Sequence, residues 1–167
     1  MKVERLIQSS DLRAFAGHFA TGVAVVTTRD AEGVCYGLTM NAVTSLSLNP
    51  PLLLICLDNE SSTLRAMRES NHFCLHFLAA GQEGLSNLFS TKRDDKFATL
   101  DYTVGEFGTP VLSDVIAASE CEVVSKYPGG DHTIIVGAVK TVTVRGGEPL
   151  LYHRGQYVSL NEQRKSA

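Results

Sequence analysis

The sequence predicts a mainly β protein in which short antiparallel strands form a closed or nearly closed barrel. Six or more segments rich in β-branched and apolar residues are joined mostly by short turns, and only two or three segments have helical periodicity. Regular alternation of strands and helices is absent, as is any Gly-x-Gly-x-x-Gly or Walker-type loop. These absences argue against a doubly wound nucleotide-binding sheet.

The first part of the chain predicts a helix followed by a β-hairpin. Apolar residues at helical spacing follow the cap candidates Ser9-Ser10-Asp11, and Gly22 ends the pattern. Residues 23–28 and 34–39 are rich in β-branched side chains and flank the turn-forming residues 30–33, as the arms of a hairpin do. The apolar face of the helix consists of Leu12, Phe15, Ala16 and Phe19.

The rest of the chain predicts further strands and two more short helices. The strands are predicted at residues 42–48, 52–57, 73–78, 117–126, 133–145 and 150–160, and the helices at residues 61–70 and 84–90. Residues 91–100 predict a charged loop. The sequence shows no internal repeat, low-complexity segment or linker, so we expect a single domain over residues 1–167.

Composition and charge narrow the classes of function. The formal net charge is −3 without any Lys- or Arg-rich stretch, so nucleic acid is not expected as a partner. No stretch approaches the ~20 apolar residues of a membrane span, and residues 1–5 do not resemble the start of a signal peptide. Four scattered cysteines without a Cys-x-x-Cys pair are typical of free thiols in a reducing compartment. We therefore expect a soluble, cytoplasmic protein with no membrane partner.

Residues 37–45 form an unusually polar segment between hydrophobic segments. Buried hydroxyl and amide groups need hydrogen-bond partners, so a strand that only fills a core does not carry so many of them. In one interpretation, the strand lines a ligand pocket, where Thr39, Asn41 and Ser45 bind a polyhydroxyl chain or a polar ring edge. In the other, it is an edge strand with one face in water. Composition alone leaves both interpretations open.

The turn at residues 58–63, after the apolar run 52–57, carries two acidic residues and a run of hydroxyl groups. Hydroxyls at this position cap the helix that follows, and unpaired amides at a helix start attract anions such as phosphate. Capping alone also explains the pattern. The residues concerned are Asp58, Ser61, Ser62 and Thr63, with Arg65, Lys92 or Arg93 as sources of positive charge.

Two further segments carry groups suited to chemistry. His132 follows a Gly-Gly-Asp turn, where an imidazole is either functional or merely structural. Residues 151–157 interleave aromatic and basic side chains that stack on a planar ring or cover a subunit contact. His72 and His76 are four residues apart, but the residues between them alternate as in a strand and no Glu completes a zinc motif. No metal site is therefore predicted.

The order of these segments resembles that of the short-chain flavin reductases, the reductase components of two-component flavin-dependent monooxygenases. The resemblance covers about residues 12–160 without a large gap, and several motifs in order are more specific than any one of them. The matching motifs are Phe-Ala-Thr-Gly-Val-Ala-Val-Val-Thr-Thr (residues 19–28), Gly-Leu-Thr-Met-Asn-Ala (37–42), Ser-Leu-Ser-Leu-Asn-Pro-Pro (45–51), Gly-Asp-His-Thr (130–133) and Pro-Leu-Leu-Tyr (149–152).

This resemblance implies an antiparallel Greek-key split β-barrel with a few short helices, usually a homodimer with flavin near the subunit interface. It implies that His132 lies near the nicotinamide, and that residues 39–42 hold the flavin ring edge and ribityl chain. Family members often have Ser or Thr where Asn41 stands, and the choice among Lys92, Arg93 and Lys96 stays open. The implied flavin contacts are Thr39, Met40, Asn41, Ala42, Ser45, Asp58, Ser61, Ser62, Thr63, Phe89, Ser90, Lys92, Lys96 and Tyr157.

The activity that the resemblance implies is hydride transfer from NADH or NADPH to FMN or FAD, with the reduced flavin passing to a partner monooxygenase. Three alternatives stay open: a split-barrel flavoprotein that acts on another substrate, a flavin- or haem-binding module without turnover, and a non-catalytic interaction protein. The Gly-Asp-His segment favours the reductase, because a passive binder has no need of a nicotinamide contact.

Overall fold

The computed structural model describes residues 7–160, which contain thirteen strands and three short helices. The start of the chain at residues 1–5, for which the sequence predicts no signal peptide, lies outside the described residues. The helices are α1 (Ser9–Ala16), α2 (Ser62–Ser70) and α3 (Glu83–Ser90). The strands are β1 (Thr21–Gly22), β2 (Ala24–Arg29), β3 (Cys35–Met40), β4 (Val43–Leu48), β5 (Pro51–Asp58), β6 (His72–Phe77), β7 (Tyr102–Val104), β8 (Pro110–Leu112), β9 (Ala117–Gly129), β10 (His132–Val139), β11 (Thr143–Val144), β12 (Leu151–His153) and β13 (Gln156–Val158).

One antiparallel sheet curls on itself to form the barrel. Its strand order is β3-β2-β6-β9-β10-β5-β4, with β11 paired to β9. The outermost strands β3 and β4 are joined by residues 41–42 only, and the three Cα–Cα steps of this link span at most about 11 Å. The two edges of the sheet therefore lie close together, with a split between them. Strand β6 pairs with β2 and β9, neither of which is its neighbour in the chain. The predicted antiparallel Greek-key split barrel with a few short helices is confirmed.

Strand β2 is buried on both faces and separates two parts of the core. Consecutive residues of a strand point to opposite faces, and both Val25 and Val26 are fully buried. Val26 packs with residues of the barrel strands, among them Ile55 and Ile135. Val25 packs with residues of β8, β12 and α3, among them Phe89. Helix α3 is thereby held against the barrel.

The first helix is shorter than predicted. Its predicted end, Gly22, lies instead in β1, whose pairing with β12 requires extended backbone. The N-cap is Gln8, and its backbone N–H donates a hydrogen bond to the Asp11 carboxylate at 3.1 Å. The predicted cap within Ser9-Ser10-Asp11 is therefore wrong, although Asp11 takes part in the capping.

The later strands also differ from their predicted bounds. The strand predicted at 133–145 is interrupted after Val139, because the backbone N–H groups of Lys140 and Thr141 both donate to the Glu120 carbonyl. The strand predicted at 150–160 is the hairpin β12–β13, which turns where Arg154 and Gly155 have φ values of 50° and 82°. The sequence does not predict the hairpin β7–β8, because strands of three residues are too short to show a periodic pattern.

Two other expectations concern cysteine and histidine residues. The four cysteines are free thiols: Cys74 and Cys121 are buried, and Cys35 and Cys56 are half-buried. His72 and His76 lie in β6, so the predicted strand is confirmed.

Within residues 7–160, no helix combines the length and the apolar character needed to cross a bilayer.

Candidate functional site

A cavity of about 610 Å³ opens beside the split of the barrel. Its walls are the end of β3 with residues 41–42, the end of β5 with the turn after it, the start of α2, the end of α3 with the loop that follows, and the first residue of β10. Every residue that the sequence assigns to the site lines this cavity, except Ser45, Tyr157 and the candidate cation Arg65. The lining residues among them are Thr39, Met40, Asn41, Ala42, Asp58, Ser61, Ser62, Thr63, Phe89, Ser90, Lys92, Lys96 and His132.

Strand β3 and helix α3 meet closely along one wall of the cavity. Gly37 has no side chain, and a Cβ there would lie 2.6 Å from the Phe89 ring and 3.0 Å from the Val26 carbonyl oxygen. Two residues further along, Thr39 Oγ1 donates a hydrogen bond to the Ser86 carbonyl at 2.6 Å. The strand and the helix are thereby tied together, and the buried Phe89 ring packs behind this wall and fixes its position.

Hydrogen bonds within the turn between β5 and α2 fix its shape. Asp58 Oδ1 accepts from the backbone N–H of Glu60 at 2.8 Å, and the Ser61 N–H donates to the Asp58 carbonyl at 3.0 Å. The Ser61 hydroxyl caps α2, a helix of nine residues. The N–H groups of Ser62 and Thr63 lie in its first turn, where intrahelical acceptors are missing, and both residues line the cavity. This end of the cavity suits an anion such as phosphate.

Three cations lie in the loop after α3, and two of them have protein partners. Lys96 Nζ donates to two backbone carbonyls, one in β3 at 2.9 Å and one in α3 at 3.3 Å, and burial lowers its pKa. The Arg93 guanidinium pairs with the Asp95 carboxylate at 2.6 Å. Within residues 7–160, Lys92 has no ion pair or hydrogen bond of its own. Lys92 is thus the cation left for a ligand, whereas Lys96 mainly ties the loop to the barrel.

His132 completes the cavity from the turn between β9 and β10. Gly130 has a φ of 75°, the positive value that a type II′ turn needs at its first central residue. His132 Nδ1 lies 2.8 Å from the Asp131 carboxylate, and since a carboxylate only accepts, Nδ1 carries a proton. This hydrogen bond lowers the pKa of Asp131. In the β5–β10 ladder His132 is directly opposite Asp58, so the imidazole and the anion-binding turn are neighbours.

Ser45 and Tyr157 do not line this cavity. Ser45 pairs with Leu53 and lines a separate apolar groove of about 300 Å³. The chain leaves the cavity after residue 42, because it enters β4, which pairs with β5 and forms the other edge of the sheet. The Tyr157 hydroxyl lies 2.9 Å from both Ser86 Oγ and Asn87 Oδ1, so it supports α3 from outside the cavity.

The cavity also contains residues that the sequence does not single out. Cys56 is opposite Ile134 in the same ladder in which Asp58 is opposite His132, so both pairs share one face of the sheet. Burial raises the pKa of the Cys56 thiol. The sequence could have identified this cysteine, because Cys56 lies two residues before Asp58 in a strand and alternate residues of a strand share a face. No local signal identifies the remaining lining residues Leu38, Leu57, Glu60, Thr91 and Asp94.

The walls of the cavity differ in chemistry. Leu38 and Met40 offer apolar surface, and the polar groups of residues 39–42 lie beside them. The start of α2 and Lys92 offer N–H groups, hydroxyls and a positive charge. This arrangement fits a ligand that has a planar ring, a polyhydroxyl chain and a phosphate. His132 is available to a second molecule, since its side chain is 44% exposed.

Comparison with known sequences agrees with this chemistry. Residues 16–161 match the family model described as "Flavin reductase like domain". The chain is 42% identical over 146 residues to the "Probable flavin reductase" of Rhizobium meliloti, covering 87% of this chain and 47% of that protein. It therefore spans about half the length of that relative. It is 37% identical over 149 residues to the reductase subunit HsaB of a flavin-dependent monooxygenase from Rhodococcus jostii, covering 89% of this chain and 76% of that protein.

Comparison with solved structures extends the likeness to the fold. The NADH:FAD oxidoreductase of Streptomyces globisporus, solved in complex with NAD and FAD fragments, superposes with a TM-score of 0.86. It is 35% identical to this chain, and the match covers 94% of this chain and 97% of that one. Sequence and fold are thus shared over nearly the whole length. The chain belongs to the flavin reductase family.

Proposed function

We propose that this chain is an oxidoreductase that transfers hydride from NADH or NADPH to FMN or FAD and supplies the reduced flavin to a partner monooxygenase. The proposal rests on one observation above all: an anion-binding turn, an apolar wall and His132 line one cavity. The relative named as a monooxygenase reductase subunit supports the delivery of reduced flavin to such a partner.

The flavin is held by the residues at the split of the barrel. Leu38 and Met40 provide the apolar surface for its ring, and Thr39 and Asn41 lie beside it with polar groups. The start of α2 and Lys92 bind the phosphate, because they combine unpaired N–H groups with an unpaired charge.

A bound flavin supplies the hydride acceptor, and the nicotinamide nucleotide supplies the hydride. The protein therefore has to align two rings rather than perform bond chemistry with its own groups. His132 orients the nicotinamide. Because the Asp131 carboxylate holds Nδ1–H, Nε2 is the ring nitrogen left for the carboxamide of the nucleotide.

Replacing His132 with alanine is expected to lower kcat/KM for NADH about tenfold, because one hydrogen bond that orients the nucleotide is lost. Flavin affinity should stay unchanged, since the flavin contacts lie on other elements. Steady-state kinetics at saturating flavin and a fluorescence titration with FMN measure the two effects. His18→Ala, an exposed histidine in the turn after α1, is the matched control. Loss of flavin binding in His132→Ala would contradict the role assigned to His132.

We also propose that the chain forms a homodimer that covers the apolar groove beside β4. At the groove Leu48, Val142 and Val144 are 89%, 66% and 72% exposed, and Leu12 and Phe15 on the apolar face of α1 are 61% and 78% exposed. Exposed large apolar side chains gathered at a groove are typical of protein interfaces. Sedimentation equilibrium tests the proposal: a mass near twice 18.1 kDa supports it, and a mass of 18.1 kDa contradicts it.

A cytoplasmic location is proposed on the basis of the four free thiols, because such thiols persist in reducing compartments. Fractionation of the producing cells tests this location. Recovery of the protein in an extracytoplasmic fraction would contradict it.

A further inference from the structure

The turn that carries His132 is bound by a single side chain from the end of the neighbouring strand. Asn59 Oδ1 accepts a hydrogen bond from Thr133 Oγ1 at 2.7 Å, and Asn59 Nδ2 donates to the Gly130 carbonyl at 3.2 Å. The backbone N–H of Asn59 donates to the Asp131 carbonyl at 3.0 Å. These three partners flank His132 on both sides, and Asn59 does not touch the imidazole itself.

Asn59 belongs to a turn whose shape is fixed from within. It follows Asp58, which pairs with His132 in the β5–β10 ladder, and it precedes Glu60 and Ser61, which line the cavity. The hydrogen bonds of this turn, from the Glu60 N–H to Asp58 Oδ1 and from the Ser61 N–H to the Asp58 carbonyl, hold it in shape. Asn59 thus joins the anion-binding turn to the turn that carries the imidazole.

The imidazole turn has little to fix it from within. Gly129 and Gly130 give it a flexible backbone. Among residues 7–160, the hydrogen bond of the His132 ring is to Asp131, a residue of the same turn whose side chain is 94% exposed. Within the described part of the chain, the side-chain hydrogen bonds that reach residues 130–133 from outside the hairpin are those of Asn59. The placement of the ring relative to the barrel therefore depends on this side chain together with the backbone pairing of His132 with Asp58 and Gly129.

We propose that Asn59 is a positioning residue that sets His132 at a fixed place relative to the phosphate-binding turn, so that the imidazole meets the nicotinamide of a bound nucleotide. This inference rests on the role proposed for His132. Asn59 does not line the cavity, so it acts through the turn and not on the flavin.

Asn59→Ala removes the two side-chain hydrogen bonds and keeps the backbone one. We expect kcat/KM for NADH to fall about tenfold, the factor that the loss of two ordinary hydrogen bonds produces. The dissociation constant of flavin should stay within about twofold of the wild-type value, because Asn59 does not line the cavity that binds flavin. Glu122→Gln is the control, because Glu122 forms a half-buried ion pair with Lys140 and lies opposite Ala138 at the other end of the same hairpin. A wild-type kcat/KM in Asn59→Ala would overturn the inference.

A pair of substitutions at Thr133 tests the hydrogen bond separately from the shape of the residue. Thr133→Val removes the hydroxyl that binds Asn59 Oδ1 and keeps the β-branched side chain, whereas Thr133→Ser keeps the hydroxyl. Thr133→Val should lower kcat/KM for NADH by about threefold or more, whereas Thr133→Ser should keep kcat/KM close to the wild-type value. Equal activity in the two variants would show that this bond does not position His132.

A double-mutant cycle with His132→Ala separates positioning from general destabilisation. If Asn59 acts through His132, Asn59→Ala has little further effect once the imidazole is gone. A tenfold loss in both backgrounds would overturn the inference. Wild-type kinetics in His132→Ala alone would instead contradict the proposed role of His132, so the two failures are distinguishable.

The flavin-free protein provides a readout that does not depend on activity. Nitrogen-15 NMR of the neutral imidazole should show His132 protonated at Nδ1 in the wild type, because the Asp131 carboxylate accepts from that atom. Asn59→Ala should give exchange-broadened signals from a mixture of tautomers. Unchanged His132 signals in this variant would contradict the positioning role.

Discussion

Alanine in place of Gly37 is expected to weaken flavin binding by about tenfold or more. The added Cβ would lie 2.6 Å from the Phe89 ring and 3.0 Å from the Val26 carbonyl oxygen. The carbonyl belongs to a strand buried on both faces, so the ring has to move. Phe97 packs edge-on against Phe89 at a centroid distance of 5.3 Å, which limits the space on that side. Overpacking of this kind costs about 1–3 kcal/mol, and about 1.4 kcal/mol corresponds to tenfold in affinity. Fluorescence titrations with FMN and FAD measure the change.

Gly137→Ala is the matched control for this substitution. A Cβ at Gly137 would lie 2.6 Å from the Phe73 ring and 3.1 Å from the Cys121 Cβ, so the overpacking is similar. Neither contact lines the cavity. We expect Gly137→Ala to lower the free energy of unfolding while the folded protein keeps its flavin affinity. Wild-type flavin affinity in Gly37→Ala, or an equal loss in both variants, would contradict the described role of the β3–α3 wall.

Acidification is expected to remove about 3 kcal/mol from the free energy of unfolding through His76 alone. His76 is fully buried in β6, where Nδ1 donates to the Val25 carbonyl at 3.0 Å and Nε2 accepts from the Leu112 N–H at 3.1 Å. The neutral ring forms both hydrogen bonds. In the charged ring Nε2 carries a second proton, which faces the Leu112 N–H, so this hydrogen bond is lost and two donors oppose each other. Burial lowers the pKa of His76 from 6.5 to about 4.

The sign of this effect follows from the two pKa values. Between pH 6.5 and about 4 the unfolded chain binds a proton at His76 and the folded protein does not. The stabilisation is therefore fully present above pH 6.5 and is lost as the pH falls towards 4. Urea unfolding of the wild type and of His76→Gln across this range isolates the contribution, because every other titrating group is common to both. The same pH dependence in the two proteins would contradict the prediction.

Features that depend on neighbouring residues could be predicted from the sequence. The β2–β3 hairpin follows from two β-branched runs around a turn, and the Asp30 carboxylate accepts from the backbone N–H groups of Glu32 and Val34 within that turn. The cap at Ser61 follows in the same way from a hydroxyl before a helical pattern. These interactions span a few residues, so a local pattern records them. The sequence also marks His132 as a candidate, since a residue after a Gly-Gly-Asp turn is exposed.

Features that depend on distant residues could not be predicted from local patterns. The close approach of Gly37 to Phe89 joins residues from two elements far apart in the chain, and the hydrogen bonds of Lys96 depend on the same packing. Ser45 falls outside the cavity because of how β4 pairs with β5, including a register shift just after Ser45. Residue patterns gave several separate candidates, and the resemblance to a family joined them into one site.

The most direct test of the proposed function is the oxidation of NADH and NADPH, followed by the loss of reduced-nicotinamide absorbance with and without added FMN or FAD. We expect the purified protein to oxidise at least one nucleotide at a catalytic rate only when flavin is present. The same experiment reveals the preference for each nucleotide and each flavin. A protein that binds flavin but consumes neither nucleotide would contradict the reductase activity and favour another flavoprotein function. A protein that neither binds flavin nor oxidises a nucleotide would contradict the assignment of the cavity itself.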